Sequence, residues 1–257
     1  MGAGAVAQTA GKATVYRHAD TAAMARAAAD QAGAIMRQAF ETRGVVHAMF
    51  ATGNSQLAFV DALIQHSSDV PWADTVVFHM DEYVGVGPDH PAGFQHWIRT
   101  RIADLVQPKA AHYVGGLGDP ETECGRYSDL LAAHSLDLCC LGIGENGHLA
   151  FNDPPVADFG DPLDVKVVEL DTACRQQQVN EGHFPSTADV PTHAITVTIP
   201  ALLRARHVLA MVPEDRKAVP VRDALEGPIS TECPASALRT ADHVTIHLDP
   251  GSASLLS

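Results

Sequence analysis

The sequence predicts an α/β fold built on a mostly parallel sheet with helices on both faces. Three observations point there. Strand-like and helix-like segments alternate along almost the whole chain, the pattern of successive βαβ units. Residues 136–143 carry no charge after Asp137, as a central strand buried on both faces requires. The chain has 257 residues, 46% hydrophobic and 19% charged, which is long enough to bury a full core and too apolar for disorder.

The elements follow in order. Residues 1–12 lack a basic start before an apolar run, so they read as a flexible tail rather than a signal peptide. The folded domain is expected over 13–250. Residues 14–17 form a short first strand. Residues 20–39 are Ala-rich with apolar positions at helical spacing; Asp20 or Thr21 can cap that helix and Gly44 can close it. A buried strand at 45–50, a turn at 51–55 and a helix at 56–65 follow. The next strand is 75–78, then a loop at 80–87, an amphipathic helix at 93–106 and another helix at 120–134. After the central strand, residues 154–162 are rich in Pro, Asp and Gly and form the expected mobile loop. Strands are predicted at 165–170, 194–199, 207–212 and 244–248, with helices at 201–204, 215–226 and 235–239.

Charge and cysteine usage narrow the function classes. Lys+Arg is 17 against 31 for Asp+Glu, a net charge of −14, which argues against nucleic acid or an anionic membrane as the partner. Aromatic residues at 5% leave little for base stacking. No apolar run approaches the ~18 residues needed to span a bilayer. The five cysteines are odd in number, irregularly spaced and without a C-x-x-C pair, so neither a disulfide framework nor a metal site is expected. Reduced thiols in a cytoplasmic protein are the reading, with Cys139 and Cys140 packing as small hydrophobes. His243 and His247 read as an edge-strand pair.

In a parallel sheet, ligands bind beyond the carboxyl ends of the strands, so four loops matter most. Thr52-Gly53-Asn54-Ser55 joins a strand to a helix; its glycine and free N–H groups suit an anion, although such short loops are often ordinary turns. Asp81 and Glu82 stand just past a strand. In extended chain they point to opposite sides, so one of them can face a ligand as general base while a solvated acidic loop is the alternative. His148 sits among Gly142, Gly144 and Gly147, flanked by Asn146 and Asp153, which can move a proton and fix its tautomer. Lys217 opens a helix after another strand and can reach a phosphate.

In order and spacing these loops resemble the glucosamine-6-phosphate deaminase (isomerase) family, part of a wider group with 6-phosphogluconolactonases and sugar-phosphate sensor domains. The resemblance runs from about 45 to 248. It is carried most specifically by HMDEYVGVGPDHPAGF at 79–94 and GIGENGHLAFNDP at 142–154. It implies a single domain with a modified Rossmann-type sheet, and no metal or organic cofactor. It implies a hydrolase/isomerase converting an aminohexose 6-phosphate, glucosamine 6-phosphate first, into fructose 6-phosphate and ammonia. Asp81 would move the proton from C2 to C1, and His148 would assist ring opening, oriented by Asn146 and Asp153. Thr52, Gly53, Asn54, Ser55 and Lys217 would hold the phosphate, with Glu82 as a further substrate contact.

Departures from the family pattern stand beside this. The loop reads Gly53-Asn54-Ser55-Gln56 where bacterial members have Gly-Gly-Thr-Pro, and Asp153 stands for a Glu. Gln178 occupies the place of a phosphate-binding Arg, with Arg175 or Arg216 as substitutes. A different sugar phosphate or a lactonase reaction are the enzymatic alternatives. A non-catalytic sensor is the other, disfavoured by the acidic charge and by the roughly dozen residues before the first strand, too few for a DNA-binding region. The partner is a small sugar phosphate, and a homo-oligomer is possible.

Overall fold

The computed structural model describes residues 6–66 and 70–257. The strands β1 (Val6–Ala10) and β2 (Ala13–Arg17) pair antiparallel. Gly11 turns between them at φ 58, where a Cβ would lie 2.6 Å from the Arg239 carbonyl oxygen. The flexible tail expected at 1–12 is therefore corrected from Val6 onward: hydrogen bonds to β2 order a stretch whose own composition is weakly apolar. Residues 1–5 lie outside the described residues. Helix α1 (Thr21–Arg43) starts where the Asp20 carboxylate accepts from the Ala23 amide at 2.7 Å, a cap contributing ~1 kcal/mol. It ends at Gly44, which is left-handed at φ 70 and donates to Phe40.

The chain continues through β3 (Val46–Phe50), α2 (Leu57–His66), β4 (Thr75–His79) and the short β5 (Asp81–Tyr83). One helical stretch then runs through α3 (Phe94–Ile98), a π turn at Arg99–Ala103 and α4 (Asp104–Val106). Next come β6 (Ala110–His112), α5 (Pro120–Ala133), β7 (Leu138–Leu141), β8 (Val165–Glu169), α6 (Thr172–Asn180) and β9 (His193–Val197). The last elements are α7 (Ile199–Leu203), β10 (His207–Val212), α8 (Ala218–Glu226) and β11 (Val244–Leu248). The helix expected at 235–239 is a 3-10 helix, Pro234–Thr240.

Eight strands form the main sheet in the order β1-β2-β11-β10-β7-β3-β4-β6, parallel throughout except for β1. The α/β class with a mostly parallel sheet holds. Successive residues of each strand face opposite layers: Cys139 belongs to one apolar layer with Met49, Phe78 and Val208, and Cys140 to the other with Phe50, Val77 and Leu209. The two cysteines thus pack as small hydrophobes. β11 lies between β2 and β10, so the edge-strand reading of His247 is corrected. It is 2% exposed and bonded to His18 at 3.0 Å and Gln31 at 2.9 Å.

A second sheet, antiparallel in the order β5-β9-β8, sits over the carboxyl ends. It corrects the loop expected at 80–87, because Asp81–Tyr83 pairs with Ala194–Thr196. β3 connects to β4 on one side, whereas β7 and β10 lie on the other. The β3/β7 boundary is therefore the point where strand order reverses, and a crevice opens there. Among the described residues no helix is long and apolar enough to cross a membrane.

Candidate active site

A cavity of about 110 Å³ opens beyond β3, β4, β7 and β10. Thr52, Gly53, Asn54, Ser55, Asp81, His148, Gln178 and Lys217 all line it. The β3 loop is held by the Ala51 amide donating to Cys140 O at 2.8 Å. Gly53 takes φ 95 and leads into the 3-10 turn Asn54–Gln56, ahead of α2. Gly142 makes room for this loop: a Cβ there would lie 2.9 Å from Gln56 Nε2. A helix start with unpaired amides beside Thr52 and Ser55 hydroxyls is a cradle for an anion.

The two acids after β4 take opposite roles, as strand alternation requires. Asp81 faces the cavity and is 6% exposed. Burial pushes its carboxyl well above the usual carboxylate range, and Glu82 beside it adds to the rise. Glu82 turns away, correcting its assignment as a substrate contact. Its carboxylate accepts from the amides of Tyr83 at 2.9 Å, Phe94 at 3.1 Å and Gln95 at 2.7 Å, and so ties β5 to the start of α3. Burial pushes it up to about 7, with those three donors pulling the other way.

The loop after β7 is shaped around His148. Gly144 lies under the imidazole: a Cβ there would come within 2.2 Å of the ring. Gly147 takes φ 83 and Ala150 φ 51. His148 Nδ1 meets Asp153 Oδ1 at 2.9 Å, which places the Nδ1 proton towards the carboxylate and leaves Nε2 free. Asn146 donates to the same Oδ1 at 2.8 Å and accepts from the His148 amide at 3.1 Å. Asp153 is 1% exposed. Burial alone would raise it, but His148 and the hydrogen bonds to it hold its carboxyl below the usual range. The predicted set Asn146, His148 and Asp153 therefore forms one hydrogen-bonded unit. Cys174 Sγ joins this group, with His148, Asp153 and Cys174 offering atoms within 4.8 Å of one another. The 2.9 Å His148–Asp153 separation is a close polar contact, shorter than the ~3.3 Å between neighbouring ligands around a tetrahedral zinc.

The loop after β10 carries the cations. Glu214 sits at φ 83, held by its amide donating to the Asp249 carboxylate at 3.1 Å. Lys217 is 3% exposed and, among the described residues, has no hydrogen-bond or ion-pair partner. Burial and then the neighbouring Arg216 charge lower its pKa. Arg216 also lines the cavity. It bridges Glu145 at 3.0 Å, Glu181 at 2.7 Å and Glu214 at 2.5 Å, joining three loops at the rim.

Arg175 is corrected as a phosphate candidate. Its guanidinium donates to the carbonyls of Thr187 and Val190 and does not line the cavity. Arg216 is the arginine in place. The lining also includes polar and aromatic residues outside the predicted set, among them Gln177, Glu181 and His183 on or after α6, and Trp97. Glu181, raised by burial, is brought down to about 2 by His183, Gln177 and Arg216. The only signal for Gln177, Glu181 and His183 was their nearness to Gln178 in sequence; Trp97 had none.

Comparison with protein families matches residues 19–247 to glucosamine-6-phosphate isomerases/6-phosphogluconolactonase. A glucosamine-6-phosphate deaminase of Exiguobacterium sibiricum is 37% identical over 208 residues, 80% of each chain. One of Listeria innocua is 33% identical over 217 residues, 84% of this chain and 90% of its own. Among solved structures, a monomeric glucosamine-6-phosphate deaminase superposes with a TM-score of 0.85 at 28% identity, covering 94% of this chain and 99% of its own. A 6-phosphogluconolactonase of Thermotoga maritima shares the fold, with a TM-score of 0.73 at 19% identity over 91% and 98%.

Proposed function

The chain belongs to the glucosamine-6-phosphate isomerase/6-phosphogluconolactonase family, and from that premise we propose that it converts glucosamine 6-phosphate and water into fructose 6-phosphate and ammonia. One observation carries the reading: Asp81, His148 and Lys217 face a single cavity whose far wall is the Thr52–Ser55 cradle.

The phosphate sits against the amides of Gly53, Asn54 and Ser55, with Lys217 as counter-charge and Arg216 supplying the fork that Gln178 lacks. Anchoring there places the sugar's C1 and C2 between Asp81 and His148, and positioning of this kind is worth up to ~7–11 kcal/mol of barrier. His148, with Nε2 free to exchange a proton, moves it between the anomeric hydroxyl and the ring oxygen, and the ring opens. The C1 aldehyde then acidifies the proton on C2. Asp81 removes it while O1 gains a proton, giving a C1–C2 enolamine. Asp81 returns its proton to C1, leaving a C2 imine. Water adds to that carbon, the C–N bond breaks and ammonia leaves. The hydrolytic step is confined to the imine, and the isomerisation precedes it. Asp81 acts as a carboxylate, and the buried site that raises its pKa also strengthens it as a base.

The MDEYVG segment, with Asp81 aimed inward and Glu82 locked to backbone, supports the deaminase reaction over lactone hydrolysis. A cytoplasmic setting agrees with five unpaired thiols. Turnover in D2O tests the scheme: fructose 6-phosphate is expected to carry deuterium at C1, and the Asp81→Asn variant is expected to form none of the product. Hydrolysis of 6-phosphogluconolactone at a comparable rate, with no deuterium entering C1, would contradict it.

A further inference from the structure

The shell around Asp153 is short of one donor. Its Oδ1 takes both Asn146 Nδ2 and His148 Nδ1. Its Oδ2 is fully buried and accepts no hydrogen bond among the described residues. A buried carboxylate oxygen left without a donor is unfavourable, because it gives up water and gains nothing in return. No solvent reaches this spot, since Asp153 is 1% exposed and Cys174 2%. The thiol of Cys174, on the first turn of α6, is a nearby group able to donate, with its sulfur within 4.8 Å of an Asp153 oxygen and of a His148 ring nitrogen.

We propose that Cys174 is a positioning residue of the active site: its S–H donates to Asp153 Oδ2 and holds that carboxylate ionised and aimed at His148. The inference rests on the catalytic reading only for its effect on turnover. Acid–base behaviour agrees with the contact. Burial and then the Asp153 charge push the Cys174 thiol well up, so it stays a protonated donor. The titratable groups facing this spot are His148 on the β7 loop, Asp81 and Tyr83 on β5, and Asp171 at the start of α6. The thiol does not touch the sugar. It also links α6, which brings Gln177 and Gln178 to the cavity, to the proton-moving unit.

Three variants separate this role from packing. Cys174→Ser keeps a donor, Cys174→Ala loses it with volume, and Cys174→Val loses it while keeping apolar bulk. One readout needs no substrate: the 13C carboxyl titration of Asp153, assigned by its disappearance in Asp153→Asn. The midpoint is expected to rise by about half a pH unit or more in the Ala and Val variants, and to stay near the parent in Ser. In turnover, kcat is expected to fall about three- to tenfold in Ala and Val with KM little changed, and to be retained in Ser. Equal Asp153 midpoints in Ser and Ala would overturn the proposal, as would Val matching the parent while Ser falls, the order that packing alone produces. Should Val fail to fold, Ala against Ser decides. The titration stands even if the protein acts on another sugar.

Discussion

Asp81 carries a cost that follows from its task. A carboxylate able to take a proton from carbon is withdrawn from water, and the Asp81 pKa is raised by that burial. Because the folded state holds the proton more tightly, this group's contribution is fully present below the unfolded carboxylate value near ~3.9. It is lost as pH climbs through the raised folded value. Asp81→Asn is therefore expected to abolish activity yet raise Tm by about 2–4 °C (~1 kcal/mol) at pH 8, with the gain shrinking towards pH 4; paired thermal melts across that range measure it. Lys217 makes the complementary case. It is buried without a partner, its pKa lowered, and a phosphate dianion supplies the missing charge. Lys217→Met is expected to raise KM about 10- to 100-fold with kcat changed only a few-fold, read from steady-state kinetics. That Asp81, His148 and Lys217 line one cavity was legible in sequence because their loops follow buried strands. Which acid faces the cavity was not, since that depends on β5 pairing with β9. Nor was the choice of Arg216 over Arg175, which depends on a fold of the chain about Thr187 and Val190.

At the scale of elements, the β7 loop is built for one imidazole. Gly144→Ala would drive a methyl group into the His148 ring, so kcat is expected to fall at least tenfold while the strand beneath stays paired; far-UV circular dichroism and kinetics together check this. Much of the element pattern could be read directly. α1 announces itself by Asp20, its alanine face and Gly44, β7 and β10 by apolar runs, and β11 by its alternation of apolar Val244, Ile246 and Leu248. The missed elements share a cause: tertiary pairing overrides local preference. β1 is small and half exposed, β6 is three residues with no β-branched member, and β5 begins with two acids. α6, TACRQQQVN, has no apolar stripe, and its helix is held by Cys174, Gln177 and Gln178 packing inward.

For the whole molecule, function follows from where strand order reverses. The parallel sheet aims the ends of β3, β4, β7 and β10 at one crevice, and the small antiparallel sheet closes it from above. In a chain of net charge −14, the proposed anion site is local, made of backbone amides, Lys217 and Arg216. A bound sugar phosphate at 100 times its Kd is expected to add ~2.7 kcal/mol, seen as a Tm rise of several degrees that Lys217→Met loses.

Ammonia release by the purified protein tests the central claim most directly, with glucosamine 6-phosphate, galactosamine 6-phosphate and free glucosamine compared at equal concentration. Release from glucosamine 6-phosphate, none from free glucosamine, and none by Asp81→Asn is the predicted result. No release from glucosamine 6-phosphate by folded protein, or equal release from free glucosamine, would contradict it.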